Sequence, residues 1–257
     1  MSVLTVLVTN AVAVAVLLAL TAFIAHRIGR VVIVDLVWGL GFVLIALISA
    51  LVGDAPLRWL LLGMVAAWGG RLAWHVGRRV FATDEEDPRY AKMLAGKPFS
   101  FAVRRVFLTQ GVAMWFVSLP VQVAAASDQG RWSWLVGVGI AVWLVGLVFE
   151  SVGDQQLAAY KKDPDRGPVM DRGLWRYTRH PNYFGDSCVW WGIFLVGVGG
   201  SRLVLTTSLS PVVMTYFLIF ATGAKLLEQT MMKREGYPAY AERTSMFFPL
   251  PPKKRPV

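Results

Sequence analysis

Apolar residues along this chain do not alternate with polar ones. They run in blocks close to the ~20 residues of helix that a bilayer's hydrocarbon core requires. Seven blocks stand at roughly 4–25, 31–53, 57–77, 106–126, 132–153, 182–200 and 204–226, and the fifth and seventh continue as helix beyond the lipid. The pattern predicts an all-α integral membrane protein of seven transmembrane helices. No internal repeat interrupts it, and the connections are too short to hold a separate domain, so residues 1–257 read as a single membrane domain.

Composition agrees, with 56% hydrophobic residues and a mean hydropathy of +0.53. The net charge of +10 raises the question of an anionic partner, and its distribution answers it. Lysine and arginine fall in the first, third and fifth connections and in the tail, while the opposite connections hold only Arg58, Arg131 and Arg202. That alternation follows the positive-inside rule and places the N-terminus outside and the C-terminus in the cytoplasm. No basic stripe with interleaved aromatics stands apart from the loops, so nucleic acid is not an expected partner. The first block lacks a basic n-region and a small-residue cleavage site, and reads as a retained span. Cys188 is the only cysteine, which excludes a disulfide within the chain. His26, His75 and His180 have no zinc spacing, so no metal site is expected.

Ionisable groups inside spans are costly and usually mark function. Here they are Asp35, Arg71, His75, Glu150, Asp154, Asp186 and Glu228, all in the cytoplasmic halves of their predicted helices. Arg71, His75 and Arg78 share one helix face by spacing, as do Glu150, Asp154 and Lys161; Asn182 and Asp186 also lie four apart. Buried ion pairs that lock helices together are the plainer reading for any one of them. The acidic loop FATDEEDPRYAKM, residues 81–93, follows the His75/Arg78 face directly and reads as a solvated turn or as the rim of a site.

The sixth block opens on RYTRHPNYFGD, residues 176–186. Pro181 suits the first turn of a helix, and a helix N-terminus attracts anions. Arg172, Arg176, Arg179 and His180 precede that turn, while Asn182 and Asp186 point back to it. The stretch reads as half of a site for a polar, phosphate-bearing cofactor entering from the cytoplasm. The apolar helices around it would take a lipid-like substrate.

GLWRYTRHPNYFGD followed by WWGIFL resembles the signature of the steroid 5-alpha-reductase-like family, in its bacterial branch of membrane proteins. VDLVWGLGF, WGGRLAWHVGRR, EEDPRY, VFLTQGVAMW and the tail LLEQTMMKREGYPAYAERTSMFFPLPP extend the resemblance over nearly the full chain. It implies a bacterial cytoplasmic membrane protein with helices one to four on the substrate side. Helices five to seven and the tail would hold NADPH, and hydride would pass to an activated carbon–carbon double bond. The family's asparagine and acidic residue fall on Asn182 and Asp186, its helix-five aspartate on Asp154, and its following basic residue on Lys161. Glu150 stands where the family often has asparagine. His75 and Arg78 match a tyrosine–arginine pair of the steroid reductases, with histidine a departure, and Asp35 is a loose counterpart of their helix-two acid.

Hydride attack on a conjugated alkene leaves charge on a carbonyl oxygen that needs a positioned donor. The expected catalytic set is therefore His75, Asp35 and Arg78. The expected cofactor-binding set is Arg71, Glu150, Asp154, Lys161, Arg172, Tyr177, Arg179, His180, Asn182, Tyr183, Asp186, Glu228 and Tyr240. A rival class stays open. Membrane methyltransferases acting on isoprenylcysteine or phospholipids also carry an RHPxY stretch and a tail glutamate followed by tyrosines. RHPNY with Glu228, Tyr237 and Tyr240 fits that pattern, and the cofactor would then be S-adenosylmethionine. A non-catalytic lipid-binding protein is a third reading, and it leaves the converging charges without a purpose.

Overall fold

The computed structural model describes residues 1–127, 133–221 and 223–253. Arg131, Trp132 at the start of the fifth apolar block, Thr222 in the seventh and the tail from 254 onward lie outside the described residues. Regular structure among the described residues is helical, apart from one isolated bridge between Thr178 and Ser245.

The long N-terminal elements are α1 (Val3–Ile28), α2 (Ile33–Val52) and α3 (Leu57–Val80). Short α4 (Pro88–Leu94) follows, then α5 (Phe99–Ala102), which passes through a π-helical turn into α6 (Thr109–Val117). α7 (Leu119–Ala125) leaves that line at a 46° bend. Pro120 sits in its first turn, where a missing N–H and a fixed φ break the preceding ladder. The remainder comprises α8 (Trp134–Lys162), α9 (Pro181–Gly200), α10 (Leu209–Tyr216), α11 (Ala224–Met231) and α12 (Tyr237–Arg243).

Among the described residues, four helical stretches are long and apolar enough to cross a membrane: Val3–Ile28, Ile33–Val52, Trp134–Lys162 and Arg202–Met231. The bent run from Phe99 to Ala125 makes a fifth if counted as one span. The chain is thus built as an integral membrane protein, with fewer clear spans than the seven apolar blocks suggested. Two expected spans fall short for reasons visible in their residues. α3 carries Arg58, Arg71, Arg78 and Arg79, and α9 spends its first turns on Asn182, Tyr183 and Asp186 and much of the rest on glycine and tryptophan.

The chain forms two compact units, the first Met1–Val136 with Val196–Ser210 and the second Gly137–Leu195 with Pro211–Val257. In the first, α2 and α3 pack backbone to backbone. A Cβ on Gly39 would lie 2.6 Å from the Gly69 carbonyl oxygen, and one on Gly69 would lie 2.7 Å from that of Gly39. Small residues permit such contact where lipid offers no hydrophobic drive between helices. Phe42 stacks edge-on against both Trp38 and Trp68 beside this seam. Buried Asn10 on α1 donates to Ser49 Oγ on α2 at 2.9 Å, which satisfies a polar group in an apolar interior.

The second unit uses the same device. A Cβ on Gly146 of α8 or on Gly185 of α9 would come within 2.5 Å of the other glycine's carbonyl oxygen. Its C-terminal tail is laced along the segment before α9. Arg179 N–H donates to Ser245 O at 2.9 Å, Leu250 N–H to Tyr177 O at 3.0 Å, and Thr178 Oγ1 to Phe247 O at 2.8 Å.

Candidate functional site

Polar side chains gather in two places, one in each unit. In the first unit the centre is Asp35, half-buried in the first turn of α2. Tyr90 Oη donates to its Oδ1 at 2.6 Å and Arg89 Nη2 to its Oδ2 at 2.9 Å. Gln110 Nε2 reaches the Tyr90 hydroxyl at 3.4 Å. Arg89 is fixed in turn by Asp87, through Nε at 2.9 Å and Nη2 at 3.0 Å. Asp87 caps α4 by accepting from Arg89 N–H, and Pro88 begins the helix, so the loop ends in a standard helix start.

Glu86 does a second job: its carboxylate accepts from the N–H groups of Val31 and Val32, the latter at 3.0 Å. α2 has no capping side chain of its own, so the loop carboxylate meets its unsatisfied donors and its positive dipole end. The Arg89 hydrogen bond holds the Asp87 carboxyl below the usual carboxylate range. Burial, reinforced by the Asp35 carboxylate, raises the Tyr90 phenol far above its ordinary value, so Tyr90 remains a donor.

His75 and Arg78 are exposed on α3, and Arg71 is half-buried. The loop 81–93, which reads as a solvated turn or the rim of a site, supplies both partners of Asp35, and neither Arg89 nor Tyr90 stands in the expected site sets. Asp87-Pro88 was the available signal, because it marks the helix start that orients them.

In the second unit, Asn182 Nδ2 donates to Asp154 Oδ1 at 3.3 Å, joining the first turn of α9 to the polar face of α8. Glu150 is buried on that face, Asp186 is half-buried one turn further along α9, and Lys161 is exposed near the end of α8. The first turn of α9 is closely packed. Pro181 is buried, a Cβ on Gly153 would lie 3.1 Å from its ring, and Tyr183 N–H is taken by Asn182 Oδ1 at 3.0 Å.

Arg179 and Glu228 form a bidentate pair, Nε–Oε1 at 2.6 Å and Nη2–Oε2 at 2.7 Å, with side chains only 11% and 13% exposed. Arg179 Nη1 also donates to the carbonyls of Ala241 at 2.7 Å and Thr244 at 2.6 Å. His180 Nε2 lies 3.2 Å from Glu228 Oε1, and its ring stacks on Tyr183 at 5.5 Å. Tyr237 Oη donates to Glu228 at 3.4 Å, and burial, with help from that carboxylate, pushes its phenol up to about 12. Tyr240 Oη donates to Trp175 O at 2.5 Å, and burial raises its phenol as well. Tyr237 was named only for the rival chemistry, and the structure makes it part of this group.

A further set of cations of this unit lies elsewhere. Arg172, Arg176, Arg243 and Lys253 line a cavity of about 560 Å³ together with Asp171 and Tyr240. Exposed Tyr177 lies beside it in sequence. The unit thus offers a carboxylate–amide group, a packed arginine–glutamate pair and a basic cavity. That donor set fits a cofactor with hydroxyl, amide and phosphate groups.

A helical membrane protein with a carboxylate–amide group at the start of one helix and a basic loop before it is the class that fold and site define. The chain belongs to the family described as protein of unknown function DUF1295, whose profile matches residues 22–244. Over 67 residues it is 33% identical to the steroid 5-alpha-reductase DET2 of Arabidopsis thaliana, covering 25% of this chain and 26% of that protein. Over 112 residues it is 28% identical to 3-oxo-5-alpha-steroid 4-dehydrogenase 1 of Mus musculus, covering 43% of this chain and 40% of that protein. An uncharacterised protein of Schizosaccharomyces pombe is 23% identical over 215 residues, 71% of this chain and 60% of its own length. The matched stretches therefore span from about a quarter to three fifths of these relatives. No solved structure matches the chain. The family resemblance carried by the RHPNYFGD stretch is borne out.

Proposed function

We propose that this protein is a membrane-embedded, NADPH-dependent reductase of an activated carbon–carbon double bond in a lipid-like substrate. The observation that carries the reading is the Asn182–Asp154 bond at 3.3 Å, an amide–carboxylate contact at the helix start that the steroid-reductase resemblance assigns to the cofactor. Similarity to two proteins named for steroid reduction supports the reaction class. NADPH, when bound, supplies the hydride. The chain's own residues do the rest. Asp154, Asn182 and Asp186 hold hydroxyl and amide groups of the cofactor and fix its orientation. Asp35, hydrogen-bonded by Arg89 and Tyr90, anchors the loop that carries them. His75 and Arg78 donate to the substrate carbonyl as negative charge develops there. The basic loops are cytoplasmic, the N-terminus is outside, and α3 and α9 supply the two further spans of seven in a bacterial cytoplasmic membrane.

The test is a comparison of ligands on the purified, detergent-solubilised protein. NADPH is expected to raise the melting temperature by mass action, whereas S-adenosylmethionine is not. Consumption of NADPH with a lipid enone, and reduction of its double bond followed by mass spectrometry, completes the assignment. Stabilisation by S-adenosylmethionine alone would move the protein to the methyltransferase class.

A further inference from the structure

The second unit keeps its basic residues in two different states. Arg179 has its donors filled by Glu228 and two carbonyls. Arg172, Arg176 and Lys253, in contrast, form no ion pair with any described residue, yet all three line one cavity of about 560 Å³. The fourth cation there, Arg243, is paired with Asp171 at 3.1 Å. Four cations against one carboxylate leave the wall with three uncompensated positive charges.

The fold, rather than chance, brings these cations together from positions distant in sequence. Arg172 precedes and Arg176 ends a 3₁₀ turn whose Trp175 is anchored by its indole N–H to Gly153 O at 3.0 Å. Lys253 is brought back to the same place because its N–H donates to Arg243 O at 2.9 Å and Leu250 N–H is tied to Tyr177 O. Holding like charges around a cavity is unfavourable unless an anion neutralises them. A second cavity of about 290 Å³ shares Asp171, Arg172, Tyr240 and Arg243 with the first and continues onto Pro168 and Val169. Beyond the shared residues the second cavity is lined by Tyr160, Pro168, Val169 and Met170, with Asp163 and Arg166 of opposite charge beside them.

We infer that this double cavity is a binding site for an organic phosphate, with the phosphoryl group held by Arg172, Arg176 and Lys253 and the organic body lying toward Pro168 and Val169. Two sources share that chemistry: the ribose 2′-phosphate of a dinucleotide and the headgroup of an anionic lipid. The first deepens the reductase reading and rests on it; the second needs no reductase. Guanidinium groups suit phosphate because their planar donors engage two oxygens at once. Exposed charge pairs contribute only a few-fold each in affinity, so removing three cations predicts a roughly 10- to 100-fold loss.

The experiment uses the full chain in detergent and the triple variant Arg172→Gln/Arg176→Gln/Lys253→Gln. Its probes are NADPH against NADH, which lacks the 2′-phosphate, and phosphatidic acid against diacylglycerol, which lacks the phosphate. Calorimetry reads the nucleotides and native mass spectrometry reads the lipids. For a nucleotide source, the triple variant loses roughly 10- to 100-fold in NADPH affinity and none in NADH affinity. For a lipid source, it loses retained phosphatidic acid while nucleotide binding is unchanged. Lys253→Gln alone, which keeps the backbone bond to Arg243 O, gives a smaller loss in the same arm and guards against misfolding of the triple variant.

Wild-type affinity of the triple variant for both phosphate probes, or failure of the wild type to bind either, overturns the site. If NADPH and phosphatidic acid both bind the two proteins equally, the site falls and the reductase reading stands. If the wild type takes phosphatidic acid through these cations but neither nucleotide, the reductase reading falls and the site stands.

Discussion

Glu228→Ala tests whether the Arg179–Glu228 pair is scaffold or waits for a ligand. The two side chains are 11% and 13% exposed and meet through two bonds of 2.6 and 2.7 Å. Removing the carboxylate strands the guanidinium charge in a largely dry place and removes the acceptor for Tyr237 and the partner of His180. Breaking one side of such a buried pair costs about 3–5 kcal/mol. At about 2–4 °C per kcal/mol for a chain near this size, the melting temperature should fall by roughly 6–20 °C. Arg179→Ala should cost a comparable amount, because the carbonyls of Ala241 and Thr244 lose their donor as well. The double variant should be destabilised by less than the sum, with a coupling of about 1–3 kcal/mol. Thermal unfolding of the four proteins in one detergent, without ligand, completes the cycle. A Glu228→Ala protein as stable as wild type, with no coupling to Arg179, would refute the argument and return both residues to the cofactor.

Asn182→Ala, which takes the donor from Asp154, is expected to weaken NADPH binding at least tenfold by calorimetry while the protein still inserts and folds; unchanged affinity removes the pair from the cofactor site. His75→Ala should keep NADPH affinity and lose ~10²–10³ in turnover, the usual effect of removing a transition-state donor; near-normal turnover would place the donor elsewhere. Asp87 has its folded pKa lowered from an ordinary 3.8, so its contribution is complete above that value and disappears as pH falls through the folded pKa. The melting-temperature gap between wild type and Asp87→Asn should therefore be constant from pH 7 to 5 and shrink between about pH 4 and 2; a gap that widens in acid contradicts the assignment. Reporter fusions after residue 95 and after residue 253 should be active on the cytoplasmic side only, and an external signal from either would invert the topology.

The apolar blocks disclosed the helices because hydrophobic length is a local property. They overstated the clear spans because a block's average hides where its polar residues sit. In α9 these residues fill the first two turns, and in α3 arginine stands at both ends. The pairing of α8 with α9 was partly legible, since Asp154 and Asn182 were singled out and do meet. The glycines that let these helices approach carried no such mark. Gly146 and Gly185 read as two of 24 glycines until their backbones are seen in contact.

Charge was the harder signal, because a single sequence does not say which cation has a partner. Arg172, Arg176 and Arg179 lie within eight residues and read as one basic cluster. The fold separates them. Arg179 is claimed by a carboxylate 49 residues further on, whereas Arg172 and Arg176 stay open to a cavity beside Lys253. Asp35 gives the converse case. It reads as a lone carboxylate in an apolar helix, yet its partners arrive from 54 and 55 residues away, on a loop whose acidic composition looks like a solvated turn. In both cases the deciding contact is made by a backbone path the residue types do not specify. A ligand-binding cation is therefore recognised by the absence of a built-in partner, and only a fold supplies that absence.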